Sequence, residues 1–397
     1  MNVGIFADCY LPTLSGVATS VVQLKEGLEQ RGHKAIVVTV DTPHYDVKDT
    51  TVYRFPSLPF NSDAGFRLGL VNQKSINRII HQEQIDVIHT HTEFSVGWAA
   101  KRAARIMNLP LIHTAHTMYE AYRHYLFLGR LLSAKTIQAF LKLFLFNHDA
   151  LVCPSAKAQD YFKSFLPYAR TEVIGNGVCR TRFRPNPLTQ EEQDRTRKIL
   201  GIQSSDKVVI YVGRIAKEKR VLELLNALTP LLGTYPHYKA LFVGCGPSYG
   251  HMVKTAEANG IRDRAIFTGH VNWERIHELY SIADLFVTAS LSEVHPMTLI
   301  EASMCGLPIV ARRDDGYAGL VQDDYNGYLA DSDQQIAERS SETLSDELKL
   351  LRFSKNALIL SEQFSAEKHV EKLEALYQQV LAQHWTRGAV DERQQLE

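Results

Sequence analysis

The stretch richest in chemistry runs from Ser292 to Val310: Ser-Glu-Val-His-Pro-Met-Thr-Leu-Ile-Glu-Ala-Ser-Met-Cys-Gly-Leu-Pro-Ile-Val. Pro296 suits the first turn of a helix, where its missing N–H costs nothing. Gly306 and Pro308 stop that helix ahead of an apolar strand beginning Ile309-Val310. Glu293 then lies on the loop before a helix N-terminus, and Glu301 lies inside the helix. A helix start offers unpaired N–H groups and the positive end of a dipole, which suits a phosphate. Ionised carboxylates accept hydrogen bonds only, so two of them flanking such a site suit the hydroxyls of a sugar or ribose.

Cations stand in a second place. In Val212-Gly-Arg-Ile-Ala-Lys-Glu-Lys-Arg220, Arg214 and Lys219 follow an apolar strand five residues apart and can neutralise a diphosphate. Phe242-Val-Gly-Cys-Gly-Pro247 lacks the third glycine of a dinucleotide fingerprint and reads as a tight backbone turn. Asp8-Cys-Tyr-Leu-Pro-Thr-Leu-Ser-Gly-Val17 joins a strand to a helix start, where Gly16 lets the backbone approach a phosphate or sugar. Histidines gather in His89-Thr-His-Thr-Glu93 and His113-Thr-Ala-His116. Zinc is one reading of four histidines near two strand ends, but no cysteine or third carboxylate at metal spacing completes it. Core or capping roles suit His89, His91 and His113. Asp331-Ser-Asp333 precedes a helical segment and reads as a capping loop rather than a metal site.

The elements that must position these groups alternate strand and helix. Val3–Ala7, a helix over Val17–Arg31 and Lys34–Val40 form a βαβ unit, continued by Ile85–His89, a helix over Ser95–Met107, Pro110–Thr114, Ala150–Cys153 and Val173–Ile174. The glycine-rich run from Val173 to Pro185 reads as a linker. Alternation restarts with strands at Lys207–Val212, Ala240–Val243, Ala265–Phe267, Leu285–Thr288 and Leu307–Ala311, and helices near Glu218–Leu232 and Trp273–Tyr280. Gln334–Arg352 and Ser365–Gln383 read as helices, with a frayed polar tail after Trp385. The class is α/β, with two doubly wound domains and ligands outside the carboxyl ends of the strands.

Glu293 and Glu301, with His295-Pro296 between them and Gly306-Leu-Pro-Ile-Val310 after them, resemble the signature of retaining GT-B glycosyltransferases of the family 4 type. The resemblance implies two Rossmann-like domains facing a central cleft. An acceptor domain would span 1–180, joined by a C-terminal helix of about 370–397 that crosses back, and a nucleotide-sugar domain would span 181–369. It implies that Arg214 and Lys219 stabilise the departing diphosphate, that Glu293 holds sugar hydroxyls and Glu301 the ribose, and that His116 contacts the transferred sugar. His295, Pro296, Met297, Thr298 and Leu299 would edge the donor at the helix start, Val271 would edge the base, and Gly16 would complete the donor contacts. No metal or other cofactor is implied.

His89-Thr-His-Thr-Glu93 and His113-Thr-Ala-His-Thr-Met-Tyr-Glu-Ala-Tyr-Arg-His-Tyr125 are similar to the acceptor side of bacterial diacylglycerol α-glucosyltransferases. That likeness implies UDP-glucose as donor and diacylglycerol as acceptor. Phosphatidylinositol, another glycolipid or a soluble sugar is the alternative acceptor, and a non-catalytic nucleotide-sugar sensor is the alternative class. From Ala99 to Lys142 there are seven cations and one acid, Glu120, interleaved with aromatic and aliphatic residues. Tyr119, Tyr122, Arg123, Tyr125, Arg130, Lys135 and Lys142 would meet the acceptor and an anionic membrane. A helix packed on its own domain accounts for the same run equally well.

Composition sets the outer bounds. The 397 residues suffice for two or three cores, and 45% hydrophobic with 22% charged residues describes a globular protein. Lys plus Arg and Asp plus Glu both number 44, so no global field favours nucleic acid. Residues 1–180 hold 19 basic against 14 acidic groups, a modest positive bias. Five scattered cysteines form neither a disulfide framework nor a zinc pattern. The most apolar run, Ala139–Phe146, is broken by Lys142 and too short to span a bilayer. The location these features suggest is cytoplasmic, peripheral on the inner face of the cell membrane.

Overall fold

The computed structural model describes residues 1–13, 15–43, 45, 49–61, 66–118 and 133–394. The chain divides into two compact units, Met1–Gly177 with Ala366–Glu397, and Val178–Ser365. The sequence places the divisions at 180/181 and near 370; the crossings fall a few residues earlier, at a glycine. A Cβ on Gly177 would stand 2.6 Å from the His369 Cβ and 2.8 Å from the Ala366 Cα, so only glycine lets the two segments pass this closely.

In the first unit, β1 (Asn2–Phe6) leads to α1 (Gly16–Gln30), β2 (Lys34–Val40), β3 (Val52–Phe55), a hairpin of β4 (Ser57–Asn61) and β5 (Phe66–Gly69), and α2 (Gln73–Glu83). Next come β6 (Val87–Thr90), α3 (Ser95–Met107), β7 (Leu111–Thr114), α4 (Ala134–Leu145), β8 (Ala150–Cys153), α5 (Ala156–Lys163) and β9 (Thr171–Val173). The main sheet runs β3-β2-β1-β6-β7-β8-β9, and all its pairings are parallel. Its strands are near-continuous apolar runs because both faces are covered. Ile36, Val38 and Ile88 pack toward Ile76, Ile80, Val96 and Ala100, while Val3, Ile5 and Val37 pack toward Val21, Leu24 and Leu28.

The second unit holds α6 (Gln190–Ile199), β10 (Lys207–Val212), α7 (Val221–Thr234), β11 (Tyr238–Val243), α8 (Tyr249–Ala258), β12 (Ala265–Gly269), α9 (Ile276–Tyr280) and β13 (Leu285–Thr288). It continues with α10 (Met297–Met304), β14 (Ile309–Arg312), β15 (Gly327–Ala330), α11 (Asp333–Ser345) and α12 (Glu347–Ser361). Its sheet is β12-β11-β10-β13-β14-β15, again parallel throughout. The last helix, α13 (Ala366–Gln394), belongs to the first unit, where Val370, Leu373, Leu376, Tyr377 and Val380 enter the core beside β1.

Two expectations are corrected. The single helix read over Gln334–Arg352 is two, because Asp346 ends α11 and its side chain accepts from the Lys349 N–H to start α12. The tail after Trp385 continues α13 to Gln394.

In both sheets the chain builds outward in one direction, then returns to the other side of its first strand. The reversals lie between β1 and β6 and between β10 and β13. Loops leaving the carboxyl ends of strands that flank such a reversal diverge to opposite faces and leave a crevice for a ligand.

Candidate active site

At the second reversal, the loops after β10 and β13 carry the groups singled out from sequence. Lys219 Nζ lies 2.7 Å from Glu293 Oε1, with side chains 19% and 14% exposed. The Ser292 hydroxyl donates to the Glu218 carbonyl at 3.1 Å, which ties the loops a second time. Arg214 follows Gly213, and the Tyr211 hydroxyl donates to its carbonyl at 3.0 Å. Arg220 is drawn off to Asp333. Asp331 pairs with Arg313, and Ser332 caps α11, so this Asp-Ser-Asp string is a capping loop with both carboxylates paired. The Gly244 and Gly246 turn also has its reason: a Cβ on either would meet the Gly213 or Ile215 carbonyl oxygen, at 2.0 and 2.4 Å.

Helix α10 starts at Met297 with Pro296 as its N-cap, one position earlier than the first-turn place read from sequence, and no side chain caps it. Its leading N–H groups therefore lack the usual side-chain acceptor. Met297 and Leu299 have buried side chains in the core under the sheet, which leaves their backbone N–H groups as what they can offer a ligand. Thr298 is half-buried, His295 is buried with its ring edge-on to Phe364 at 5.3 Å, and Val271 packs partly buried against the same core. Gly316 presses on the Glu293 loop, where a Cβ would stand 2.3 Å from the Glu293 carbonyl oxygen.

Glu301 is 3% exposed, with Tyr280 Oη 3.1 Å from its Oε2. Burial pushes its pKa up to about 7, against the lowering effects of Tyr280, Trp273 and Arg182. Tyr280 and Arg182 were not legible in sequence, since Tyr280 is 21 residues away and nothing in the local pattern links them.

At the first reversal, Asp8 anchors the loop after β1. Its carboxylate accepts from the Ser95 and Thr92 hydroxyls and, at 3.0 Å, from the Val96 N–H, so it caps α3 from a distant strand. Ser15 accepts from the Ala18 N–H and caps α1. Nothing among the described residues lies within 4 Å of where a Gly16 Cβ would stand, so the backbone there is open to approach.

The loops after β6 and β7 bring the histidines together. His89 and His113 are sealed and His91 is 2% exposed. His89 bonds Tyr377 Oη and Thr114 Oγ1, both at 2.7 Å, and His113 bonds Thr90 at 2.9 Å and Glu93 at 3.1 Å. These are core roles. His91 Nδ1 meets His116 Nε2 at 2.9 Å, with the rings stacked at 5.2 Å, and His116 is half-buried. Burial first, then neighbouring histidines, holds the pKa of His89 and His91 well below the ordinary value and that of His116 down to about 3. Among the described residues no group of three or more His, Cys, Asp or Glu is arranged to hold a metal ion.

Tyr119, Tyr122, Arg123, Tyr125 and Arg130 lie outside the described residues. Lys135 and Lys142 are exposed on α4, which buries Ile137, Leu141, Phe144 and Leu145 and exposes Phe140, Leu143 and, at its C-cap, Phe146. Lys101, counted among the cations of this run, is spent inside the fold. Its ammonium donates to the Leu143 and Phe144 carbonyls at the end of α4, at 2.7 and 2.6 Å. Among the described residues no helix is long and apolar enough to cross a membrane.

Two family models match the chain, glycosyl transferases group 1 over residues 192–359 and glycosyltransferase family 4 over residues 14–182. The alpha-monoglucosyldiacylglycerol synthase of Streptococcus pneumoniae is 32% identical over 347 residues, 87% of this chain and 78% of that protein. The Acholeplasma laidlawii protein described in the same words is 31% identical over 387 residues, 95% and 96% of the two chains. Among solved structures, Anabaena HepE in complex with UDP and glucose shares the fold at a TM-score of 0.76 and 20% identity, covering 95% of this chain and 99% of that one.

Proposed function

The chain belongs to the family 4 glycosyltransferases of GT-B fold, and from that premise we propose that it moves glucose from UDP-glucose to the free hydroxyl of diacylglycerol, retaining the α configuration. The observation that carries the reading is the junction at the second reversal. There Arg214, the Lys219–Glu293 pair and the uncapped start of α10 converge on one loop cluster. The relatives described as alpha-monoglucosyldiacylglycerol synthases favour a lipid acceptor.

The acceptor oxygen bonds to the anomeric carbon as the bond from that carbon to the diphosphate oxygen breaks. The acceptor proton passes to a diphosphate oxygen on the face that the nucleotide leaves, and UDP departs. Negative charge grows on the diphosphate through this step, so fixed cations and helix N–H groups act where the transition state differs most from the ground state. Arg214 and Lys219 supply the cations and Met297 to Leu299 the N–H groups. Glu293 accepts from sugar hydroxyls, Glu301 from the ribose, and His116 meets a hydroxyl of the sugar. The donor needs no divalent ion with these cations in place.

The exposed face of α4 supports contact with an anionic membrane, since Lys135 and Lys142 stand beside Phe140, Leu143 and Phe146. Membrane association places the enzyme beside an acceptor that does not leave the bilayer. The deciding assay uses purified protein, a panel of radiolabelled nucleotide sugars and diacylglycerol in mixed micelles. Label from UDP-glucose should enter a lipid whose anomeric coupling is that of an α-glucoside. A β product, or labelled free glucose without labelled lipid, overturns the reading.

A further inference from the structure

We infer that His91 is a positioning residue: it donates through Nδ1 to His116 Nε2 and so fixes His116 with its own proton on Nδ1, as a hydrogen-bond donor toward the substrate. The inference rests on the proposed contact of His116 with the sugar, and it says which nitrogen makes that contact and in which protonation state.

β6 and β7 are paired in parallel with Thr90 opposite His113, so the loops that follow them leave side by side and carry His91 and His116 to the same height. The two nitrogens in contact are 2.9 Å apart and share one hydrogen, because two neutral imidazoles facing each other can hold only one proton between them. Two arrangements satisfy that contact. In one, His116 Nε2–H donates to His91 Nδ1, and the proton of His91 must then sit on Nε2. In the other, His91 Nδ1–H donates to His116 Nε2, and the proton of His116 sits on Nδ1.

The surroundings of His91 separate them. His91 Nε2 is buried and has no hydrogen-bond partner among the described residues. The first arrangement would bury an N–H donor with no acceptor among the described residues, and orphaned buried N–H groups are the rarest of unsatisfied backbone groups for the same reason of cost. The second leaves only a bare lone pair there, in a ring whose centroid lies 4.2 Å from that of His89. His89 cannot reverse the choice, since both its nitrogens are already committed to Tyr377 and Thr114. A charged, doubly protonated pair is opposed by the burial and by the histidines packed around it, which depress both members.

The chemical consequence is definite. His116 presents an N–H to the substrate, so it holds a sugar oxygen and supports negative charge there, and it is not the group that takes the proton from the acceptor. An imidazole that serves a site through one nitrogen has its tautomer set by the bond made at the other.

The test has two arms on the full-length protein. In the first, 15N-histidine-labelled wild type is assigned by loss of signals in His116→Asn and His91→Phe, and both rings should show a protonated Nδ1 and a bare Nε2. The reverse tautomer in both rings overturns the positioning by His91. In the second, the amide of His91→Asn places a donor where Nδ1 stands, His91→Asp places only an acceptor there, and His91→Phe places neither. His91→Asn should keep kcat within about threefold, while the other two lose about 10- to 100-fold with little change in KM for UDP-glucose, the scale of loss when an orienting partner is removed. Equal loss in all three variants overturns it. His116→Ala with unaltered turnover overturns instead the underlying contact with the sugar, and leaves the tautomers found in the first arm standing.

Discussion

Lys219 and Glu293 hold each other at 2.7 Å across two loops, and the proposed function gives each a second task when the donor arrives. Removing a donor aimed at developing charge costs about 10²–10³ in kcat. Arg214→Ala and Lys219→Ala should each lose turnover on that scale in steady-state assays, whereas a sensor would bind UDP and show no turnover to lose. Glu301 adds a pH dependence. In its proposed role this carboxyl, raised to about 7 by burial, accepts ribose hydroxyls most strongly when ionised, so UDP affinity should climb as pH rises through about 7 and then level. Calorimetric titration of Glu301→Gln should show the slope abolished and binding weakened about 10- to 100-fold, the equivalent of one charged hydrogen bond. Glu293 with Glu301, and Arg214 with Lys219, could be singled out because each pair sits at a short spacing just after an apolar strand, the first punctuated by Pro296 and Gly306 and the second by Gly213. The His91–His116 pair, 25 residues apart, could not, since strand register joins it and no local pattern does.

Helix α4 illustrates what an element reveals and conceals. Leu143 and Phe146 are 63% and 65% exposed, so replacing both with glutamate leaves the core intact. Each buried apolar side chain contributes about 1.5–3 kcal/mol to partitioning, so the double variant should lose vesicle binding at least about tenfold while its melting temperature holds. Leu348→Glu with Leu351→Glu on α12, where the exposures are 80% and 68%, is the control and should bind vesicles as wild type does. Unaltered binding of the α4 variant to anionic vesicles would remove the membrane role of this face. The sequence showed the cations of this run but not their division, because Lys101 caps carbonyls 42 and 43 residues away. It likewise merged α11 and α12, since a capping aspartate within a continuing apolar period leaves the pattern unbroken. The long central strands were plain from their Val and Ile runs, whereas the short β4–β5 hairpin carries no clean alternation.

Across the whole molecule, the buried histidines set an acid limit. His89, His91, His116, His148 and His369 all have folded-state values lowered first by burial, those of His116 and His369 to about 3 and 4. The unfolded chain therefore binds more protons below about 6.5, and stability falls as pH drops through that value toward 4. Each group contributes up to about 1.4 kcal/mol per pH unit there. Glu301, Asp8 and Asp284, whose carboxyls burial raises, act in the opposite sense, but they are three groups against five. Urea midpoints measured from pH 7.5 to 5 should fall steeply, and a flat profile would contradict the burial of these rings. Two α/β units could be counted from the sequence because alternation stops at Val173 and restarts at Lys207. Strand order could not, because the reversals depend on which edge each crossover chooses.

The placement of α13 also bears on how the protein is made. The first unit is finished by Val370, Leu373, Leu376, Tyr377 and Val380, which bury about 1.5–3 kcal/mol each in a fold whose whole margin is on the order of 5–15 kcal/mol. On the ribosome, residues 1–177 must wait, incomplete, while the contiguous second unit emerges and closes on itself. A chain halted before residue 366 should yield a protease-resistant core from its later half and digest readily in the part synthesised first.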